Sequence, residues 1–351
     1  MQYRQLGRSG LRVSVLSLGT MTFGGAGVFS KVGRTDVEGA GRLIDRALEA
    51  GVNLLDTANI YSAGQSEEII GQVMRGRWAD TLVVTKARMR TGSGPNQGGS
   101  SRHHLISECE KSLVRLHKET IDLFYLHEWD GETPLEETLE ALDILTRDGK
   151  IRYAGVSNFS AWHLMKGLGI AERRGLPRFV SQQIHYTLQA REAEYELIPA
   201  SIDQGLGLLI WSPLAGGLLS GKYRRNQAAP AGSRHLTDWN EPPVRDEAKL
   251  YDIVDVLVSV GQERGVSGAQ VALAWLLGRP AVASLVVGAT NAAQLADNLA
   301  SAALMLTPEE RHRLDVVSAP PLLYPYWHQA ATANDRLSPA DLSLLAPHIR
   351  R

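Results

Sequence analysis

The sequence of 351 residues contains one cysteine, Cys109, and no long apolar run. A single cysteine excludes an intramolecular disulfide and cannot by itself form a thiolate metal site, so we expect no metal. Cys109 lies in a segment with helical character, where we expect an inert thiol. No window reaches the length of about 18 uncharged apolar residues that a membrane span needs. The first residues also lack an apolar signal region, which predicts a cytoplasmic protein.

The chain also lacks an excess of positive or negative charge. The chain has 37 Lys and Arg residues against 38 Asp and Glu residues, a formal net charge of -1. This balance does not indicate nucleic acid or an anionic membrane as a partner. The hydrophobic content of 44% and the charged content of 21% are ordinary for a soluble globular protein.

Short apolar runs bounded by Gly, Asp or Asn recur eight times. None alternates cleanly between apolar and polar residues, which predicts strands that are covered on both faces and are therefore parallel. The runs span residues 15–19, 52–57, 81–86, 121–127, 153–158, 180–186, 206–213 and 284–290. Helical segments separate them and begin with capping patterns such as Thr35 with Glu38 or Asn291 with Gln294. Eight alternations predict an α/β fold, a (β/α)8 TIM barrel that forms one domain over residues 1–351.

Four segments lie outside the repeating pattern. Residues 3–12 resemble a β-hairpin that could close the barrel floor. Residues 88–101 and 222–243 are polar and rich in Gly or Pro, and we expect them to be long functional loops at the carboxyl ends of the strands. The tail, residues 320–351, carries Tyr324 and Trp327, and we expect it to fold over the barrel mouth and contribute to the substrate pocket.

Ionisable residues follow the predicted strands where active sites of such barrels form. Asp56 ends the second strand and Tyr61 follows it, Lys86 ends the third, and His127 ends the fourth. Each has an ordinary alternative when taken alone: a solvated strand end for the lysine, a satisfied core group for the histidine, a cap for the aspartate and a packed aromatic for the tyrosine. Together they form an acid/base set.

This set suits proton transfer to or from a carbonyl oxygen. A free tyrosine has a pKa of about 10, and we expect the ammonium of Lys86 to lower the pKa of Tyr61 while Asp56 holds the lysine. A neutral or protonated His127 can donate a hydrogen bond to the same oxygen. The set lacks a source of two electrons, which predicts a nicotinamide cofactor.

Seven motifs then identify a family resemblance. They are LGTMTFGG (18–25), NLLDTANIYSAGQSEEIIG (53–71), VVTKA (83–87), DLFYLHEWD (122–130), YAGVSNFS (153–160), WSPLAGGLLSGKY (211–223) and GATNAAQLADNL (288–299). Over residues 3–316 the chain resembles the aldo-keto reductase superfamily, in the branch that includes potassium-channel β-subunits and bacterial relatives. The resemblance implies a (β/α)8 barrel that binds NAD(P)(H) without a Rossmann motif. It also implies that Tyr61 is the general acid/base, that Lys86 and Asp56 tune it, and that His127 orients the substrate.

The same resemblance implies the cofactor contacts. Trp211 is expected to stack on the nicotinamide. The remaining expected contacts are Gly19, Thr20, Asp56, Ser157, Asn158, Gln183, Ser212, Leu214, Gly216, Gly221, Lys222, Arg234, Gly288, Thr290, Gln294 and Asn298. Many family members have an arginine in place of Gln294 that grips the 2′-phosphate of NADPH. In the branch that this chain resembles, Lys222 and Arg234 take over that phosphate, so NADPH/NADP+ is expected rather than NADH.

The expected function is therefore an NADPH-dependent oxidoreductase that interconverts an aldehyde or ketone and the corresponding alcohol. The alternative implied by the resemblance is a nicotinamide-binding, redox-sensing regulatory subunit with little turnover. A barrel isomerase or lyase has no positive feature in its favour. The expected substrate pocket consists of Met21, Phe23, Trp129, Tyr324 and Trp327 beside Tyr61 and His127. Such an aromatic pocket favours a bulky apolar carbonyl compound, and a sugar also fits it.

Overall fold

A closed barrel of parallel strands forms the centre of the protein. The computed structural model describes residues 1–229, 239 and 241–349. The barrel strands are β3 (Leu16–Gly19), β4 (Leu54–Asp56), β5 (Leu82–Ala87), β6 (Ile121–Leu126), β7 (Ile151–Ser157), β8 (Phe179–His185), β9 (Gly207–Trp211) and β10 (Val282–Val287). Each pairs with its neighbours in the chain, and β10 pairs with β3 to close the ring. The predicted (β/α)8 barrel is confirmed.

The strands are buried on both faces, which explains why their sequences do not alternate. Every residue of β6 and β10 is buried, and β5 exposes only part of Leu82. One face of each strand packs inside the barrel and the other packs under the surrounding helices. The main apolar cluster lies in this outer layer between strands and helices.

Helices surround the barrel and follow its strands. Their bounds are α1 (Val37–Glu49), α2 (Gln65–Met74), α3 (Arg102–Leu116), α4 (Leu135–Arg147), α5 (Ala161–Arg174), α6 (Leu197–Gln204), α7 (Glu247–Arg264), α8 (Gly268–Leu277), α9 (Ala292–Ala300), α10 (Pro308–Ser318), α11 (Tyr326–Thr332) and α12 (Pro339–Leu345). Asn291 caps α9 through the amide of Gln294, as the pattern predicted. The cap of α1 is Asp36 and not Thr35, since the Asp36 carboxylate accepts from the amide of Gly39.

The predicted N-terminal hairpin is present and closes the barrel floor. Its strands are β1 (Tyr3–Gln5) and β2 (Arg12–Ser14). Leu6 and Val13 are fully buried in a cluster with side chains from the barrel interior. Gly7 lies at the turn with φ +57°, and a Cβ there would be 2.6 Å from Gly205 O. Only glycine permits this approach, because other residues are strained at positive φ and would clash with the strand backbone.

The tail packs beside the barrel against α6. Helix α12 contacts α6, and Tyr326 stacks on Tyr195 with a centroid distance of 5.5 Å. The hydroxyl of Tyr326 also donates to the carboxylate of Glu196. Within residues 320–349, which the structure describes, no side chain lines the cavity at the barrel mouth. The tail therefore differs from the expectation that it contributes to the substrate pocket.

Within the described ranges, no helix combines the length and the apolar character that crossing a membrane requires.

Candidate active site

A cavity of about 1190 Å³ opens at the carboxyl ends of the barrel strands. It runs between the loops that follow the strands, where catalytic sites of this architecture form. Most of the residues expected at the site line it. They are Gly19, Thr20, Met21, Asp56, Tyr61, His127, Ser157, Asn158, Gln183, Trp211, Ser212, Leu214, Gly216, Lys222, Gly288, Thr290, Gln294 and Asn298.

Lys86 lies beneath this cavity in a buried ion pair. Its Nζ is 2.6 Å from Asp56 Oδ1 and 2.8 Å from Thr57 O. The other carboxylate oxygen, Asp56 Oδ2, accepts from Gln183 Nε2 at 2.7 Å. Burial disfavours the ammonium, but Asp56 and Tyr61 outweigh it and raise the pKa of Lys86 above its ordinary value. The lysine is therefore a fixed positive charge.

Tyr61 begins a short 3-10 helix, Tyr61–Gly64, and four residues separate it from the end of β4. The next residue, Ser62, has φ 49° and donates from its hydroxyl to Phe23 O at 2.9 Å, which holds the turn. Lys86 Nζ lies 5.2 Å from the centroid of the Tyr61 ring. Burial raises the pKa of Tyr61 above 10, and the charge of Lys86 opposes this rise without reversing it. The expectation of a lowered pKa for Tyr61 is therefore wrong for this structure, because burial exceeds the effect of the ammonium.

His127 follows β6 and faces Tyr61 across the cavity. The ring centroids are 5.8 Å apart in an edge-to-face arrangement. Burial and the nearby charge of Lys86 hold the pKa of His127 well below its ordinary value, so the imidazole is neutral. Its Nδ1 is buried and has no hydrogen-bond partner among the described residues. A neutral imidazole in this position can donate one hydrogen bond to a bound oxygen.

Trp211 lies at the end of β9 and is fixed by Asn158. The indole Nε1 donates to Asn158 Oδ1 at 3.0 Å, and Asn158 Nδ2 donates to His127 O at 3.2 Å. Asn158 adopts φ 56°, a left-handed conformation that asparagine tolerates better than most residues. These bonds link the ends of three strands and hold one face of Trp211 toward the cavity.

The loop after Trp211 turns sharply at two glycines. Ser212 Oγ accepts from the amide of Gly216 at 3.0 Å, and both Gly216 and Gly217 have positive φ. A Cβ at Gly217 would lie 3.4 Å from Lys222 Nζ, so the lysine head group lies directly over this turn. Backbone amides beside an ammonium form a suitable place for an anion.

The far end of the cavity is formed by the loop before α9. Gln294 Oε1 accepts from the amide of Thr290 at 3.1 Å and from its hydroxyl at 2.9 Å. Asn298 Nδ2 donates to Gly288 O at 3.4 Å. Gln294 therefore braces this loop, and its neutral amide contributes no positive charge at this end.

Several of the predicted positions lie elsewhere. Phe23 is fully buried in the core, and its backbone oxygen accepts from the hydroxyl of Ser62, the residue after Tyr61. Trp129 stacks on His163 with a centroid distance of 3.7 Å, outside the cavity lining. Tyr324 and Trp327 are 75% and 52% exposed and do not line the cavity. Phe23 and Trp129 pack against other side chains and Tyr324 and Trp327 are exposed to solvent, so none of the four rings lines the cavity.

Gly221 does not line the cavity, although its neighbours Ser220 and Lys222 do. Arg234 lies outside the described residues.

The cavity also contains residues that the sequence did not indicate. Phe29 packs edge-on against Tyr61 at 5.4 Å and contacts Trp239 at 5.9 Å. Glu128 and Glu241 also line the wall. Glu128 follows His127 directly, and this adjacency is a signal that could have identified it. Trp239 and Glu241 lie in the loop 222–243 that was expected to be functional, although neither residue was singled out. Phe29 lies in a segment without strand or helix periodicity, which gave no comparable signal.

Known proteins are similar to this chain over most of its length. Residues 15–319 match the profile of the Aldo/keto reductase family. A probable voltage-gated potassium channel subunit beta of Oryza sativa is 38% identical over 327 residues, which cover 90% of this chain and 96% of that protein. The uncharacterized oxidoreductase YrpG of Bacillus subtilis is 38% identical, covering 88% of this chain and 93% of that protein. The versiconal hemiacetal acetate reductase of Aspergillus parasiticus is 33% identical, with 93% and 99% covered.

Proposed function

This chain belongs to the aldo/keto reductase family, and we propose that it is an oxidoreductase that interconverts an aldehyde or ketone and the corresponding alcohol with NADPH. One observation carries the proposal. A phenol, a buried ammonium paired with a carboxylate, and a neutral imidazole converge at the mouth of the barrel. This arrangement suits proton exchange with a carbonyl oxygen. The reductase and oxidoreductase names of two relatives support the same reaction class.

In the proposed reduction, Tyr61 acts as the proton donor. The phenol is protonated at neutral pH because burial raises the pKa of Tyr61. Neutral His127 donates a hydrogen bond to the carbonyl oxygen and keeps it near the Tyr61 hydroxyl. As the proton leaves, Lys86 stabilises the phenolate, and Asp56 keeps Lys86 charged and in place. When bound, the nicotinamide supplies the hydride to the carbonyl carbon.

The shape and chemistry of the cavity fit a dinucleotide. The same cavity includes Tyr61, the inward face of Trp211 and the loop at Asn298. Ser157, Asn158 and Gln183 would hold the nicotinamide end, and Trp211 would offer it an aromatic face. The turn at Gly216 and Gly217 would follow the pyrophosphate, since its backbone leaves no side chains in the way.

Lys222 favours a phosphorylated cofactor. Its side chain is exposed at the cavity wall over the glycine turn. Ammonium groups form charge-assisted hydrogen bonds with phosphate oxygens. The pyrophosphate is common to NADH and NADPH, so the preference rests on the family resemblance, in which Lys222 and Arg234 hold the 2′-phosphate. On that ground we propose NADPH rather than NADH as the preferred cofactor, with Arg234 as a second phosphate ligand.

The test of the proposed function is the Tyr61→Phe variant. It should lose about 100-fold or more in turnover of carbonyl compounds, because the proton donor is removed. NADPH binding, measured by quenching of tryptophan fluorescence, should stay nearly unchanged. Tyr324→Phe is the matched control, since it removes a hydroxyl from an exposed tyrosine outside the cavity. An active Tyr61→Phe enzyme would refute the assignment.

Relatives in Oryza sativa and Arabidopsis thaliana are named probable voltage-gated potassium channel subunit beta, and the subunit role in these names supports a second candidate. This candidate is a nicotinamide-binding, redox-sensing regulatory subunit with little turnover. Such a protein would bind NADPH and a protein partner but turn over slowly. Negligible turnover across a broad carbonyl panel, together with tight NADPH binding, would favour this second candidate.

A further inference from the structure

The residue after His127 is an acid on the cavity wall. Strand β6 ends at Leu126, and His127 and Glu128 then both line the cavity. Trp129 turns away from it, stacked flat on His163 and edge-on against Phe159 at 5.2 Å. Because Trp129 is fixed outside, the aromatic surface expected at this point is replaced by the carboxylate of Glu128.

One oxygen of the Glu128 carboxylate accepts a backbone hydrogen bond that orients the side chain. Its Oε1 accepts from the amide of Trp129 at 3.0 Å. Within the described ranges, no lysine or arginine forms an ion pair with it. Partial burial raises the pKa of Glu128, and the positive charge of Arg88 opposes this rise. The second oxygen, Oε2, is therefore available to accept hydrogen bonds from a molecule in the cavity.

The surroundings of Glu128 combine aromatic rings with further polar groups. Phe29 packs between Tyr61 and Trp239 on the cavity wall. Glu241 adds a second carboxylate, close enough to influence both Tyr61 and Glu128. Arg90 also lines the wall, and it opposes a positively charged substrate. Rigid aromatic area with carboxylate acceptors suits a neutral molecule that has both C–H faces and hydroxyl groups.

We propose that Glu128 is a specificity-determining residue that selects carbonyl substrates bearing hydroxyl groups beside the reacting carbonyl. This inference rests on the proposed function and narrows its substrate class to polyhydroxylated aldehydes and ketones. A substrate without hydroxyl groups would bury the Glu128 carboxylate without a donor, which is costly. A site built to bind a substrate hydroxyl discriminates strongly against analogues that lack it.

The test compares glyceraldehyde with propanal, which share a carbon chain and differ in hydroxyl groups. The wild-type enzyme should have the higher kcat/KM with glyceraldehyde. Glu128→Gln keeps the shape and removes the charge, so kcat/KM for glyceraldehyde should fall by about tenfold while that for propanal changes little. Glu128→Leu should reduce the preference further and improve turnover of propanal. In the comparison of each variant with the wild type, each substrate is compared with itself, so aldehyde hydration cancels; the comparison between the two aldehydes uses the concentration of the free aldehyde form.

Glu132→Gln is the matched control. Glu132 lies on the same loop, is exposed and does not line the cavity, so its substitution should leave both substrates unaffected. NADPH binding and thermal unfolding of each variant verify that it is folded. Equal losses on both aldehydes, or no loss on either, would overturn this inference alone. If the wild-type enzyme turns over no carbonyl compound at all, the proposed function fails and this inference fails with it.

Discussion

Lys86 Nζ lies 2.6 Å from Asp56 Oδ1, and both side chains are almost completely shielded from water. The two residues belong to β5 and β4, which are neighbours in the barrel. The ion pair therefore joins two strand ends under the cavity, and Gln183 adds a third strand, β8, through its bond to Asp56. The contacts that position Lys86 therefore also connect three strands of the barrel.

The Asp56→Asn variant should be strongly destabilised. It leaves the ammonium of Lys86 buried without its counter-charge, and breaking a buried pair from one side costs about 3–5 kcal/mol. Urea denaturation should show this loss as a lower free energy of unfolding. Asp45→Asn is the control, because Asp45 pairs with Arg77 where both side chains are about half exposed. Its loss should stay below about 1 kcal/mol, and similar losses in the two variants would contradict the role of burial.

The pH dependence should differ between the two directions of the reaction. Reduction needs the protonated phenol of Tyr61, which is present below its pKa and lost above it. Since burial raises that pKa above 10, kcat for reduction should stay level through neutral pH and fall only in strong alkali. Oxidation needs the phenolate and should rise as pH increases. Neutral His127, with a pKa well below its ordinary value, should add no step near neutrality.

Steady-state rates at saturating substrate and cofactor measure this dependence. A decline in the reduction rate between neutral pH and about pH 9 would contradict a raised pKa for Tyr61, whose ordinary value is about 10.

Lys222→Met should weaken NADPH binding selectively. The variant keeps the length of the side chain and removes from the cavity wall the charge that we propose contacts the 2′-phosphate, a group that NADH lacks. A charge-assisted hydrogen bond contributes about 1.5–3 kcal/mol, so Kd for NADPH should rise by about tenfold or more while Kd for NADH changes little. Fluorescence titration measures both constants. Arg225→Met is the control, because Arg225 already pairs with Asp252 and does not line the cavity.

The sequence predicted those features that depend on repetition or adjacency. Eight buried runs separated by helices are enough to predict the barrel, because few other folds place parallel strands in that order. Asp56, Lys86 and His127 were expected to converge since they end consecutive strands, and the structure brings them together at the mouth. The predicted cap of α1, Thr35, lies one residue before the observed cap, Asp36. Both residue types are good caps, and only the backbone conformation selects between them.

The sequence does not predict in which direction side chains point once a strand has ended. His127 and Glu128 face the cavity while Trp129 faces away, and no period governs three successive loop residues. The pKa of Tyr61 depends on how much water the surrounding loops exclude, which residue types do not reveal. Trp327 projects outward because the tail packs on α6, a contact between segments far apart in the chain.

The hairpin at the barrel floor restricts the order in which the cofactor and the carbonyl compound can bind. Leu6 and Val13 fill the amino-terminal end of the barrel, so both reactants must exchange through the mouth. Trp211 and Asn158 lie at the strand ends themselves, whereas Phe29 and Trp239 belong to the loops around them. A nicotinamide ring seated on Trp211 would be covered by the carbonyl compound that follows it. The geometry therefore predicts a compulsory sequence in which the cofactor enters first and departs last.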